Sequence, residues 1–138
     1  MKKTQVIYYS QSGNTEKLAL AIGEALSCPV GKVDSPLEEK VELLFLGSSL
    51  YKFGIDKHVV QFIQGLSPEK VEKVAIFATS CGMETAYGLL KKLLEKQGIS
   101  VMEENFYCRG KFLAMNKTRP NEDDVKKIQE FAKKLAEG

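Results

Sequence analysis

Residues 6–15 of the chain read VIYYSQSGNT, and this stretch decides the fold class. Its first part, Val6 to Tyr9, is a short apolar run that is typical of a buried strand. Its second part is polar and contains Gly13, which permits a tight turn with positive φ. Helical spacing then predicts a helix over about residues 14–27, with these apolar positions on one side: Leu18, Ala21, Ile22, Ala25 and Leu26.

The same alternation of apolar runs and periodic segments continues along the chain. Further strands are predicted at 30–33, 43–46, 74–78 and 99–107, and residues 35–39 are expected to form a brief helical turn. Helices are expected after the capping residue Asp56, over about 86–94, and after Asn121. This order predicts one α/β domain spanning residues 1–138, with a parallel sheet and helices on both faces.

Composition excludes several function classes. The 20 Lys and Arg against 18 Asp and Glu leave a net charge of +2, too balanced for a protein that binds nucleic acid by neutralising phosphates. Three scattered cysteines (Cys28, Cys81 and Cys108) and one histidine, His58, argue against a zinc site. No apolar run approaches the ~20 residues of a membrane span. Val6 to Tyr9 is too short for a secretory signal, so we expect a cytoplasmic protein.

The loop between the first strand and helix has the chemistry of a phosphate site. Residues 10–15 read SQSGNT and contain hydroxyl and amide groups but neither lysine nor arginine. The N–H groups that begin a helix favour an anion, so neutral donors could hold a phosphate here. The lysine-containing loop of nucleotide triphosphatases and the three-glycine dinucleotide motif are both absent. The alternative is that Ser12, Asn14 and Thr15 only cap the helix.

This loop resembles the phosphate loop of the flavodoxin family, in which the pattern is Ser/Thr-x-Ser/Thr-Gly-Asn-Thr. Every defined position matches. Residues 47–51, GSSLY, are similar to that family's second flavin loop. The resemblance implies a flavodoxin-like three-layer sandwich with a five-stranded parallel sheet of order 2-1-3-4-5. It also implies noncovalently bound FMN and one-electron transfer.

The resemblance also implies roles for individual residues. Phosphate binding is expected from Ser10, Gln11, Ser12, Gly13, Asn14 and Thr15. In the second loop Tyr51 would stack on the flavin, beside Ser48, Ser49 and Leu50. In a third loop, backbone donors to the flavin pyrimidine ring would come from Thr79, Ser80, Cys81 and Gly82. That third loop lacks the covering aromatic residue of many flavodoxins, and the nearest ring, Tyr87, is predicted to lie in the next helix.

Three functions remain compatible with these residues. The first is a monomeric, low-potential electron carrier that shuttles electrons between a reductase and an acceptor enzyme, with no catalytic residue or metal of its own. The second is an FMN oxidoreductase that acts directly on a small organic substrate or a quinone. The third is a binding module for another phosphate compound. A receiver domain is disfavoured because Ser10 and Ser12 occupy the positions where that domain needs acidic residues.

Overall fold

The computed structural model of the chain describes residues 3–10, 13–35, 37, 39–51, 54–80, 87–109 and 121–137. This part of the chain forms strands and helices in alternation. In chain order they are β1 (Thr4–Tyr8), α1 (Asn14–Leu26), β2 (Val30–Lys32), β3 (Val41–Tyr51), β4 (Gly54–Ile55), α2 (Lys57–Gln64), β5 (Val71–Ser80), α3 (Tyr87–Lys96), β6 (Ser100–Val101), β7 (Phe106–Arg109) and α4 (Glu122–Glu137).

The sheet has the predicted strand order. β2, β1, β3 and β5 are adjacent and parallel, and β6 and β7 both pair in parallel with β5. The predicted fifth strand, 99–107, is therefore split, so the described residues contain six parallel strands where five were expected. The interruption at 102–105 includes exposed Glu103 and Glu104, whose charges favour solvent over the ladder. The flavodoxin-like α/β fold is confirmed.

Two central strands are longer than their apolar runs. β3 continues from the predicted 43–46 into residues 47–51, which read GSSLY, and β5 extends over 71–80. Loops were expected at 47–55 and 79–84, and this was wrong for residues 47–51, 54–55 and 79–80, which are strand. The remaining residues of both segments lie outside the described part of the chain. Backbone pairing extends β3 and β5, since Ser49 aligns with Thr79 between β3 and β5, and Leu50 with Ile55 between β3 and β4.

Helices cover both faces of the sheet and bury two apolar layers. On one face, Val59 and Ile63 of α2 pack in a core with Leu90 and Leu94 of α3. On the other face, α1 and α4 enclose a second core that includes Phe45 and Phe77. The carboxyl ends of the parallel strands therefore open at one edge of a three-layer sandwich, the edge where ligands bind in such folds.

The predicted helix caps are confirmed. The Asp56 carboxylate accepts a hydrogen bond from the backbone N–H of His58 at the start of α2. The side chains of Asn121 and Asp124 each accept the other's backbone N–H at the start of α4. The helical turn expected at 35–39 falls partly outside the described residues, and residues 35, 37 and 39 are not helical. No helix among the described residues has the length and apolar character needed to cross a membrane.

Candidate functional site

The turn between β1 and α1 is fixed by Gly13. Gly13 has φ of 86° and forms the N-cap of α1 without a side-chain cap. Its backbone N–H donates to Ser10 Oγ at 3.0 Å, and its carbonyl accepts from the Lys17 N–H at 3.1 Å. The left-handed conformation favours glycine, which explains why a glycine stands at this point of the loop.

The space beside this turn suits an anion. Gly13 is exposed, Ser10 and Asn14 are half-buried, and a Cβ atom built on Gly13 would meet no atom within 4 Å. The first turn of α1 directs its N–H groups and the positive end of its dipole toward this side. Residues 10–15 contribute no positive charge. Neutral donors at a helix start can hold a phosphate group, so the described residues fit the phosphate site predicted for residues 10–15, which we call the cradle.

Three of the predicted site residues are buried behind the cradle. Thr15 and Thr79 have exposed fractions of 0% and 1%, and Ser48 is fully buried. The hydroxyl oxygens of Thr15 and Thr79 are 2.9 Å apart, which ties the start of α1 to the end of β5. The resemblance implies that the Thr15 side chain contacts the phosphate. Because this side chain is buried, the structure favours a role in supporting the loop from the interior instead.

The ends of β1, β3 and β5 bring the three predicted loops to the same edge. The Tyr9 N–H donates to the Gly47 carbonyl at 3.1 Å, and Ser48 aligns with Ala78 across the sheet. Ser49, Leu50, Tyr51 and Ser80 are placed at this edge by their backbone. Four other predicted residues lie outside the described part of the chain: Gln11, Ser12, Cys81 and Gly82.

A tyrosine–glutamate pair that the sequence analysis missed adjoins the cradle. Tyr8, at the end of β1, donates its hydroxyl to Glu16 Oε2 at 2.6 Å. Burial, followed by the hydrogen bond and the charge of Glu16, raises the pKa of Tyr8 to about 12. Alternation along β1 places Tyr8 on the face that α1 covers, and this was the signal available in the sequence.

A second polar cluster lies on the opposite side of β1. The rings of Tyr9 and His58 stack with centroids 5.2 Å apart, and His58 Nδ1 lies 2.6 Å from Asp56 Oδ1. Burial alone would raise the pKa of Asp56, but the backbone N–H and ring of His58 hold it below its ordinary value. A cavity of about 260 Å³ is lined by both rings and by Ser10, Lys32 and Asp34. The stacking with Tyr9 and the contact with Asp56 thus hold the His58 ring in place beside the cradle.

The lowered pKa of Asp56 predicts a loss of stability in acid. A carboxyl group whose pKa is lower in the folded state stabilises that state above its unfolded pKa, and the contribution disappears as the pH falls through the folded pKa. We expect Asp56→Asn to flatten the pH dependence of the unfolding free energy below about pH 4. Urea unfolding at several pH values measures this.

Asp56→Asn also controls for the helix cap, because it removes the charge and keeps a capping side chain. Asparagine caps a helix about as well as aspartate, whereas Asp56→Ala should cost about 1 kcal/mol at neutral pH through loss of the cap. An Asn variant with the same acid profile as the unmodified protein would contradict the prediction.

Tyr87, the ring nearest to the third loop in sequence, contributes to the packing of α3. Tyr87 lies in α3 as expected, and its hydroxyl donates to the Met102 carbonyl at 3.0 Å. Within the described residues, no group of three or more histidine, cysteine or acidic side chains is arranged to hold a metal ion.

At the sequence level, the chain is similar to a protein from an archaeon. The chain is 31% identical to an uncharacterized protein of Methanocaldococcus jannaschii, over 96% of this chain and 97% of that protein. No family model matches the chain.

Solved structures with the same fold include a flavodoxin, a flavoprotein and an oxidoreductase. A flavodoxin from the domain Archaea superposes with a TM-score of 0.77 and 21% identity, covering 98% of this chain and 96% of that one. A flavoprotein from Lactobacillus acidophilus, in complex with FMN, has a TM-score of 0.64 and 17% identity over 79% of this chain and 93% of its own. An NAD(P)H:quinone oxidoreductase from Methanothermobacter marburgensis has a TM-score of 0.68 and 11% identity, covering 97% and 98%.

Proposed function

Since the chain belongs to one family with the Methanocaldococcus jannaschii protein and has the flavodoxin-like fold, we propose that it binds FMN noncovalently and carries electrons on it. The observation that supports this most directly is the cradle formed by Ser10, Gly13 and the start of α1. It lies at the carboxyl edge of a parallel sheet and suits a phosphate without a counter-charge. The archaeal flavodoxin and the FMN complex share this fold.

The proposed roles follow the three loops. Ser10, Gly13 and Asn14 bind the phosphate, with Gln11 and Ser12 completing the loop and Thr15 supporting it from the interior. The strand end at Ser48, Ser49, Leu50 and Tyr51 receives the flavin ring, with Tyr51 stacked on it. Thr79 and Ser80 lead into Cys81 and Gly82, whose backbone is proposed to meet the pyrimidine edge. FMN, when bound, supplies the redox chemistry, while the protein binds and orients it.

The proposed physiological role is low-potential electron transfer. The protein would receive electrons from a reductase and pass them to an acceptor enzyme, acting as a single-domain monomer in the cytoplasm. This role requires no side chain to act as a nucleophile or general base, because the bound FMN would supply the redox chemistry.

Cofactor binding is the first test of this proposal. We expect titration of the cofactor-free protein to quench FMN fluorescence with submicromolar affinity. Riboflavin, which lacks the phosphate, should bind at least about tenfold more weakly, since charge-assisted hydrogen bonds contribute on the order of 1.5–3 kcal/mol each. Equal affinities would show that the cradle does not hold the phosphate, and absence of FMN binding would refute the proposed cofactor.

A direct oxidoreductase is the second candidate. It is favoured by the shared fold with the quinone oxidoreductase, although the similarity in sequence is only 11%. Stopped-flow oxidation of the reduced FMN-loaded protein separates the two functions. Rapid reaction with one-electron acceptors alone supports the carrier, whereas saturable two-electron transfer to a quinone supports the enzyme.

A further inference from the structure

The Glu16 carboxylate makes a different contact from the one that a glutamate at this position of a helix commonly makes. Glu16 is the third residue of α1, counted from the N-cap Gly13. A glutamate at that position commonly turns back to accept the backbone N–H of the N-cap residue, which places the carboxylate over the end of the helix. In this protein the Gly13 N–H donates to Ser10 Oγ. The Glu16 carboxylate instead accepts the Tyr8 hydroxyl at 2.6 Å.

We propose that Tyr8 is a positioning residue that holds the Glu16 carboxylate away from the start of α1 and so keeps the anion site open for phosphate. The inference rests on the proposed function in naming that anion as the phosphate of FMN. A carboxylate turned toward the helix start would compete for the same N–H groups and repel the phosphate. The cradle has no lysine or arginine to offset such repulsion.

The surroundings of Tyr8 suit this task. Its side chain is 6% exposed and packs in the core layer between the sheet and helices α1 and α4, so its hydroxyl has a fixed position. Because burial and the contact with Glu16 raise its pKa to about 12, the hydroxyl stays protonated and remains a donor at any working pH. Phenylalanine at this position would keep the packing and remove only the donor.

The first experiment uses the ligand-free protein. Backbone amide resonances of Gly13 to Glu16 are compared by nuclear magnetic resonance in the unmodified protein, Tyr8→Phe, Glu16→Gln and the double variant. We expect Tyr8→Phe to shift these amides in the direction of a stronger hydrogen bond, because the released carboxylate turns to the helix start. The double variant should show a smaller shift, since a glutamine amide oxygen is an uncharged and weaker acceptor for the same N–H groups.

The second experiment measures FMN and riboflavin affinities of the same four proteins. We expect Tyr8→Phe to weaken FMN binding about five- to tenfold, as for a full charge acting near a helix end. Riboflavin binding should be unchanged. Adding Glu16→Gln to Tyr8→Phe should restore FMN affinity. Glu24→Gln is the matched control, because Glu24 is an exposed carboxylate in the last turns of α1, about 12 Å along the helix from Glu16.

The outcomes separate this inference from the proposed function. If FMN fails to bind the unmodified protein, the cofactor is wrong, while the amide shifts of the ligand-free variants still decide the role of Tyr8. If Tyr8→Phe leaves the amides unmoved, or if the double variant is as impaired in FMN binding as Tyr8→Phe, Tyr8 only fills the core and the inference is overturned. Restoration by Glu16→Gln, seen with FMN and not with riboflavin, supports it.

Discussion

Gly47→Ala is expected to lower the free energy of unfolding by about 2–3 kcal/mol, the cost of overpacking a tight core. Gly47 lies in β3, where a Cβ atom would stand 2.3 Å from Phe77 Cζ and 2.9 Å from Thr15 Cγ2. Phe77 is fully buried and Thr15 has no exposed surface, so neither side chain can move aside freely. Displacement of Thr15 would also disturb the start of α1, and we expect weaker FMN binding in the same variant.

Gly88→Ala is the matched control for Gly47→Ala. Gly88 lies in α3, is exposed, and a Cβ there would meet nothing within 4 Å. Alanine should therefore stabilise the protein by about 0.5–1 kcal/mol through helix propensity. The double variant Gly47→Ala/Phe77→Leu should recover part of the loss, because the ring that causes the clash is gone. Urea unfolding of all three proteins measures these effects, and an undiminished stability of Gly47→Ala would contradict the packing argument.

Thr79→Val is expected to destabilise the protein by about 1–3 kcal/mol. The substitution keeps the shape of the side chain but removes the hydroxyl that lies 2.9 Å from that of Thr15, and both residues are buried. A buried hydroxyl that loses a partner costs more than the hydrogen bond contributes, because it was removed from water on folding.

A double-mutant cycle tests whether the two hydroxyls act as a pair. Thr15→Val/Thr79→Val should cost less than the sum of the two single substitutions, since both polar groups are then absent. Thr79→Ser, which retains the hydroxyl and loses a methyl group, is the control for packing. Strictly additive losses in chemical denaturation would show that the pair is not coupled.

The sequence could predict the structural features that depend on residues close together in the chain. The strand, glycine turn and helix at 6–27 follow from an apolar run, a residue suited to positive φ and a helical repeat, and all three are present. The caps at Asp56 and Asn121 also depend on near neighbours in the chain. The sheet order followed from the resemblance of the loop at 10–15 to a known family.

Features that depend on distant partners could not be predicted in this way. Residues 47–51 begin with a glycine and two serines and look like a loop, yet pairing with β5 and β4 holds them in β3. The bond between Thr15 and Thr79 joins residues 64 positions apart, so the helical pattern around Thr15 gives no sign of it. To predict the contact of Tyr8 with Glu16, one must know which side of β1 faces α1 and where the first turn of that helix directs its side chains.

The outermost strands of the sheet are short, and this limits how copies of the protein can associate. At one border β2 has only three residues and ends at exposed Lys32. At the other, β6 and β7 have two and four residues and are separated by a polar interruption. An incoming strand would find few consecutive backbone groups to pair with, and it would meet charge at both borders. The described sheet is thus poorly suited to edge-to-edge aggregation, because its borders offer no long, flat template for another copy of the chain.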